Sequence, residues 1–482
     1  MAATPPPPPA VPAMNSPHFI GIGGAGMSGI AKILTQRGAR VAGSDARESG
    51  TVQALRALGA TVHIGHDAGH LADDADCVVV SSAIREDNPE LAAARARGVP
   101  VVHRSDALAA LMADRRAIAV AGTHGKTTTT SMLAVALRAL GLEPGYAIGG
   151  DLDVPGSNAE HGGGPWFVAE ADESDRSFHA YAPEVAVILN AELDHHANYA
   201  SLEEIYQSFE VFTGRIRPGG TLVINADHEG TRELTARLRR AARPDPAIVT
   251  YGADPAADVR VVSVVPKGLT SEVSVAMADR ELTFTVSVPG RHYAHNAAAA
   301  LAAGVAAGVP AEKLASALAA YTGVARRLQP KGEAAGVRVI DSYAHHPTEM
   351  TADLEAVRDC APGGGRVLVV FQPHLYSRTR ELGAEMGRSL ALADASVVLD
   401  IYPAREDPLP GVTSALITDA ARRAGADVRP EPDRDAVPEL VAGMAAPGDL
   451  VLTMGAGDVT ELGPRILERL AGVPARTTGS EE

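Results

Sequence analysis

The chain is poor in cysteine, in long apolar runs and in positive charge, and each shortage narrows what it can be. Only Cys77 and Cys360 occur in 482 residues. Two thiols so far apart build neither a disulfide framework nor a metal knuckle, and they point to a reducing, cytoplasmic compartment. No stretch approaches the roughly 18 uninterrupted apolar residues that a bilayer span requires. The opening MAATPPPPPAVPAMNS has neither a basic n-region nor an apolar h-region, so neither membrane insertion nor secretion is expected. Lysine and arginine number 43 against 59 aspartates and glutamates, a formal net charge of −16. That field repels a phosphate backbone and argues against nucleic acid as a partner. A small anionic substrate is still compatible with it where local cations or a metal override the global sign. No internal repeat of fixed period is present.

What is present is a long globular chain. At about 150 residues per domain its length suggests three domains, and 46% hydrophobic against 21% charged residues is a globular balance. Residues 1–16 read as a disordered Ala/Pro tail. From His18, short apolar runs (HFIGI, ARVAGSD, DCVVVSSAI) alternate with helix-forming segments, the signature of α/β units with a parallel sheet covered on both faces. A second unit opens at AIAVAG, continues through WFVAEAD and EVAVILNAELD, and includes a β-rich 245–290 segment and Ala-rich helices over 294–321. A third contains VRVIDSY, RVLVVFQPH, SVVLDIYPA and DLVLTMGAGD. The expected division is 17–114, 115–325 and 326–482, each a doubly wound unit with its polar loops after strand ends, where ligands of open sheets bind.

Two glycine loops carry chemistry. Gly21-Ile22-Gly23-Gly24-Ala25-Gly26-Met27-Ser28-Gly29 follows a strand and opens a helix, so backbone N–H groups and the helix dipole face an anion. Asp45 ends the next strand, 22 residues after Gly23. On this feature alone a nicotinamide oxidoreductase with Asp45 on a ribose, or a merely tight turn, are both open readings. In the second loop, Gly122-Thr123-His124-Gly125-Lys126-Thr127-Thr128-Thr129 lies between a strand and a helix and reads as a phosphate cradle. Lys126 would reach the terminal phosphates of ATP and Thr127 would offer its hydroxyl to Mg2+. The standard spacing is altered, with Val120 where a glycine is usual. Glu170, Asp172, Glu173 and Asp175 follow a strand, and Asp194-His195-His196 follow another. Mg2+ takes hard oxygen ligands, and Glu170 is the first candidate among the carboxylates. Further on stand Arg326-Arg327, Asp341-Ser342-Tyr343-Ala344-His345-His346, Gln372-Pro373-His374 and Ser377-Arg378-Thr379-Arg380. Arginines suit carboxylate and phosphate, though a pair of them equally suits a surface salt-bridge face.

Taken in order, GIGGAGMSGIA, SSAIREDNPE, AGTHGKTTTTSMLA, EADESDRSF, DSYAHHPTEM, FQPHLYSRTR and MGAGD resemble the Mur ligases of peptidoglycan synthesis over nearly all of residues 18–465. The resemblance implies a Rossmann-like UDP-binding domain, a P-loop-type central ATPase domain and a Rossmann-like C-terminal domain for the amino acid. It turns the first loop from NAD to UDP: Gly23, Gly26, Met27 and Ser28, with Asp45 and Ser82, would hold the UDP-sugar. It implies ATP at Gly122, Thr123, His124, Gly125, Lys126, Thr127 and Thr128, with Asn296 at the adenine and Arg327 near the γ-phosphate. Thr127, Glu170 and His195 would hold Mg2+, and Tyr343, His345, Arg378 and Arg380 would line the amino-acid site. The implied reaction joins L-alanine to the lactyl carboxylate of UDP-N-acetylmuramate through an acyl phosphate, releasing ADP and phosphate, with His345 as a candidate base. A murein-peptide recycling ligase acting on the same sugar nucleotide is the alternative within the family. A monomer or homodimer is expected. The chain departs from the family pattern at Tyr293, Leu328, Ser342 and Leu375, the last standing where an arginine is common.

Overall fold

The computed structural model describes residues 11–152, 157–193, 198–241, 246–278, 280–404 and 406–472. The chain forms two compact units. One holds the N-terminal sheet and most of the central sheet, and the other takes in 265–271, 287–293 and the chain from 325 onward.

The N-terminal sheet has five parallel strands in the order Thr61–Ile64, Ala42–Asp45, Pro17–Ile20, Cys77–Val80, Val101–His103. Cys77–Val80 (CVVV) is an unbroken apolar run because helices cover both faces of such a sheet. The chain winds outward from Pro17–Ile20 in one direction and then returns to the other side of it. The crevice at that reversal, beyond the carboxyl end of Pro17–Ile20, is where an open α/β sheet receives a ligand, and the first glycine loop fills it.

The central sheet runs Arg280–Val286, Thr270–Met277, Val259–Lys267, Ala247–Gly252, Thr221–Asn225, Val185–Ile188, Arg116–Ala121, Trp166–Glu170, Gly145–Ala147, Ala159–Glu160. Arg116–Ala121 lies between Val185–Ile188 and Trp166–Glu170, parallel to both. The second glycine loop therefore emerges flanked by the strand ends that carry Glu170 and Leu189. One apolar core runs through the N-terminal and central sheets, from Phe19, Ile30 and Leu111 to Phe167, Phe209 and Phe212.

In the second unit the order is Gln329–Ala334, Val337–Ser342, Leu450–Met454, Val367–Phe371, Ala395–Val398, Val428–Pro430. The four apolar runs read from sequence are the interior strands. Gln329–Ala334 differs from a purely parallel expectation: it pairs antiparallel with Val337–Ser342 across a turn in which Ala335 and Gly336 both have positive φ. Its polar sequence QPKGEA suits an exposed edge and gives no apolar run to read.

Several helices begin on a capping side chain, as where Asn88 accepts from Glu90 and Leu91 N–H groups and Ser201 from Glu204. The two helices after the glycine loops are among those that do not. Ala25–Gln36 starts at Gly24 and Lys126–Ala139 at Gly125, neither with a side-chain cap. Uncapped N-termini leave backbone donors for an anion.

Candidate active site

The first loop is shaped by two close approaches. Gly21 and Ile22 N–H donate to the Ser44 carbonyl at 2.8 and 2.9 Å. Gly23 N–H donates to Asp45 Oδ2 at 2.9 Å, and a Cβ on Gly23 would sit 2.9 Å from that same oxygen. Asp45 thus shapes the loop while remaining half-exposed. Met27 and Ser28 are both buried. Met27 packs in the core, the Ser28 hydroxyl accepts from Asn158, in the turn just before the strand Ala159–Glu160, at 3.2 Å, and both N–H groups bond back to the Gly24 carbonyl. Both side chains thus help to seat the loop. Ser82, exposed after Cys77–Val80, donates to Asp175 of the acidic run at 3.1 Å.

The second loop turns sharply through Gly122 (φ +136°) and Gly125 (φ +82°), a region that favours glycine. A Cβ at Gly125 would lie 2.8 Å from Asn296 Oδ1, so Asn296 borders the loop itself. Thr123 Oγ1 accepts from Glu192 N–H at 3.0 Å. His124 N–H donates to Asn190 Oδ1 at 2.8 Å, and the Asn190 amide returns a bond to the His124 carbonyl at 3.1 Å. Lys126 Nζ donates to the Gly122 carbonyl at 2.6 Å, the Thr123 carbonyl at 3.2 Å and both Glu173 oxygens at 3.0 and 2.8 Å. Thr127 Oγ1 donates to Glu170 at 3.0 Å, and Gly149 N–H donates to the same carboxylate at 2.8 Å. Thr128 is buried in the helix. His195 falls outside the described residues.

Electrostatics at this loop are set by burial and by the acidic run. Burial opposes charge on Lys126, but Glu173, Asp172 and Glu170 outweigh it and push the ammonium up to about 12. Burial pushes the Glu173 carboxyl up to about 7 against the pull of Lys126. Asp172 is buried too, yet Lys126 and Arg104 hold it down at about 2. Glu192 stays well below the carboxylate range: burial opposes its charge, and hydrogen bonds from His124 and His228 prevail. Glu173, Asn190, Glu192 and Asn158 are participants that motif reading left without a role. Glu173 was visible as one acid of a run, but which acid meets the lysine depends on the turn after Trp166–Glu170.

The second unit gathers its own cluster. Arg326 and Leu328 adopt positive φ, +64° and +47°, and the Arg326 carbonyl accepts from Tyr343 N–H at 2.6 Å. The guanidinium carbons of Arg326 and Arg327 lie 4.9 and 5.3 Å from the Tyr343 ring centre. His345 Nδ1 lies 2.9 Å from the Tyr343 carbonyl and 3.5 Å from Glu349. That contact leaves Nε2 as the acceptor, and burial pushes the imidazole down to about 3. Arg378 Nη1 meets His374 Nδ1 at 3.3 Å, and the His345 and His374 rings are 6.0 Å apart. Arg380 does not join them: it is exposed and bonded to Glu381 at 2.9 Å, because it lies two residues beyond Arg378 on a helix and faces another way. Leu375 begins that helix with φ +71°. Ser342 donates to the buried Asp353, which supplies a carboxylate beside the position where the family pattern has one.

Three family models match consecutive stretches of the chain: the Mur ligase family catalytic domain over 16–116, the Mur ligase middle domain over 120–304 and the Mur ligase glutamate ligase domain over 326–457. The chain belongs to the Mur ligase family. Among curated Mur ligases it is 75% identical over 459 residues to the UDP-N-acetylmuramate--L-alanine ligase of Streptomyces coelicolor, covering 95% of this chain and 98% of that one. It is 53% identical to the ligase of the same name from Saccharopolyspora erythraea, covering 93% and 92%. Among solved Mur ligases, the UDP-N-acetylmuramate-alanine ligase of Thermotoga maritima superposes with a TM-score of 0.79 at 29% identity, covering 94% of this chain and 98% of that one. A murein peptide ligase from Psychrobacter arcticus shares the fold, with a TM-score of 0.69 at 24% identity over 95% and 99% of the chains.

Proposed function

We propose that this chain is the ATP-dependent ligase that joins L-alanine to the lactyl carboxylate of UDP-N-acetylmuramate in peptidoglycan synthesis, releasing ADP and phosphate. The observation that carries the reading is 75% identity, along almost the whole chain, to a ligase named for that reaction. The murein-peptide alternative has weaker similarity behind it, 24% and 29% identity to solved murein peptide ligases, and a nicotinamide enzyme would leave the second loop without a purpose.

Within this reading the sugar nucleotide belongs to 17–114, ATP to 115–325 and the amino acid to 326–482. The first loop receives the diphosphate at the uncapped start of Ala25–Gln36, with Asp45 and Ser82 at neighbouring strand ends. Lys126 takes the ATP phosphates, exchanging its contacts with Glu173 and the loop carbonyls for phosphate oxygens. Bringing a carboxylate against a phosphate costs about 4 kcal/mol at ~4 Å and an effective dielectric of 20, so fixed cations here lower the barrier by neutralisation and positioning. The Thr127 hydroxyl and Glu170 carboxylate lie within a hydrogen bond of each other and are hard oxygen donors, a set that suits Mg2+. When bound, the ion would neutralise phosphate charge. Tyr343, His345 and Arg378 form the amino-acid pocket. His345, neutral and bonded through Nδ1, offers Nε2 to the amino group as a hydrogen-bond acceptor, while its burial disfavours full proton uptake. Every residue named comes from one chain, so a monomer or a homodimer serves equally. Nucleotide substrates and two free, buried cysteines suit the cytoplasm. No helix among the described residues is long and apolar enough to cross a membrane.

The test is a mass-spectrometric product assay with UDP-N-acetylmuramate, ATP and each amino acid in turn, and with the murein tripeptide. L-Alanine should give the amide and one phosphate per turnover. Product with the tripeptide and none with L-alanine overturns the reading.

A further inference from the structure

We propose that Arg104, which no motif singled out, grips the diphosphate of the sugar nucleotide through Nη1 while Asp172 and Asp175 hold its other edge. This rests on the ligase reading above. Arg104 opens the helix Arg104–Met112 directly after the strand Val101–His103, at the carboxyl end of the N-terminal sheet. Its side chain, 18% exposed, reaches back over the first glycine loop. A Cβ placed on Gly26 would stand 3.0 Å from Nη1 and 3.6 Å from the guanidinium carbon. Gly26 is therefore glycine in part because the guanidinium lies against it.

The other edge is fixed. Nη2 donates to Asp172 Oδ2 at 3.0 Å and Asp175 Oδ2 at 3.2 Å, and Ser82 donates to that same Asp175 oxygen. Asp175 is itself held by Ser177 N–H at 3.0 Å, and Asp172 by Ser174 N–H at 3.0 Å. A guanidinium has five donors in a rigid fork. Two are engaged, and Nη1 and Nε make no hydrogen bond among the described residues. A largely buried cation with free donors, facing a helix start that has no side-chain cap, is matched by an anion with several acceptor oxygens. A diphosphate at the glycine loop is such an anion. The carboxylates orient the fork, as outer partners orient catalytic groups elsewhere. Asp172 also lowers the energy of charged Lys126, so the residue aiming Arg104 at one nucleotide takes part in the electrostatics of the other.

UDP and UDP-N-acetylmuramate would be titrated calorimetrically into the wild-type chain, R104A and R104K, with ATP titrated in parallel and the phosphorus-31 spectrum of bound UDP recorded. R104A should weaken UDP and UDP-N-acetylmuramate each by tenfold or more and shift the diphosphate resonances, with ATP affinity within threefold. R104K should recover part of the loss, since lysine restores the charge without the fork. Unchanged UDP affinity in R104A overturns the proposal. So does a loss confined to UDP-N-acetylmuramate, which would move the contact to the lactyl carboxylate. Equal losses for UDP and ATP, with R104K no better than R104A, reduce Arg104 to a clamp between sheets and overturn it too. If R104A does not fold, R104K and R104Q carry the same comparison. Failure of the wild-type chain to bind the sugar nucleotide or form product would instead bring down the ligase reading itself.

Discussion

At the residue scale, Lys126 is held ready by a partner that must give way. Its ammonium is fully engaged by Glu173 and two loop carbonyls, so phosphate binding exchanges one set of charge-assisted bonds for another. Lys126→Ala is expected to cut phosphate release by at least a hundredfold while UDP-N-acetylmuramate still binds within threefold of wild type, as read by phosphate release and calorimetry. Near-normal release would remove the lysine from the ATP site. Gly125 supplies a second check, since alanine there combines positive φ with a Cβ 2.8 Å from Asn296 Oδ1. The αL backbone costs roughly 1–2 kcal/mol for a non-glycine residue before any clash. Gly125→Ala should therefore lower the melting temperature and weaken ATP binding, whereas Gly141→Ala, with positive φ but open space around it, should lower the melting temperature alone.

At the element scale, the strands of the N-terminal sheet are stitched together beneath the glycine loop by a buried carboxylate. Glu90, with no exposed surface, accepts from Ser44 at 2.8 Å and meets His66 Nδ1 at 3.0 Å and His18 Nε2. Burial opposes its charge, and the hydrogen bonds from His18, Ser44 and His66 hold it below the ordinary carboxylate range. Ser44 is also the residue whose carbonyl anchors Gly21 and Ile22. Removing one member of a buried, hydrogen-bonded charge cluster typically costs 3–5 kcal/mol. Glu90→Ala is accordingly expected to destabilise the chain by about 3 kcal/mol and to weaken UDP binding with it. Denaturant melts check the first effect and UDP titration the second, and a loss under 1 kcal/mol would show that the cluster is not structural.

At the scale of the whole molecule, the two units should respond to acid in different windows. His345, in the second unit, has its pKa lowered to about 3, so between pH 6.5 and 3 the unfolded chain binds a proton that the folded chain does not. Stability is then lost as pH falls through that window, by at most about 1.4 kcal/mol per pH unit for one proton. Asp172, in the first unit, is lowered to about 2 from an ordinary 3.8, so its contribution is present above 3.8 and is lost as pH falls toward 2. Glu173 acts in the opposite sense: raised to about 7, it costs stability as pH rises from 4.5 to 7. Melts of His345→Gln between pH 6.5 and 4 should show a shallower slope than wild type, and equal slopes would contradict the buried neutral imidazole.

The residue string by itself determined the alternation of strands and helices, the two glycine loops, the acidic run and, through seven ordered motifs, the family. These are local patterns, set by backbone conformation and by the period of apolar side chains. Short polar or exposed strands such as Gln329–Ala334 and Ala159–Glu160 gave no such signal. Only the tertiary structure decided which members of each motif meet. It turned Met27 and Ser28 inward, sent Arg380 to solvent, chose Glu173 among four acids for Lys126, and brought Arg104 against a loop some eighty positions earlier. Those pairings depend on where strand ends fall across a sheet, and side-chain direction at a strand end reverses with a single residue of register.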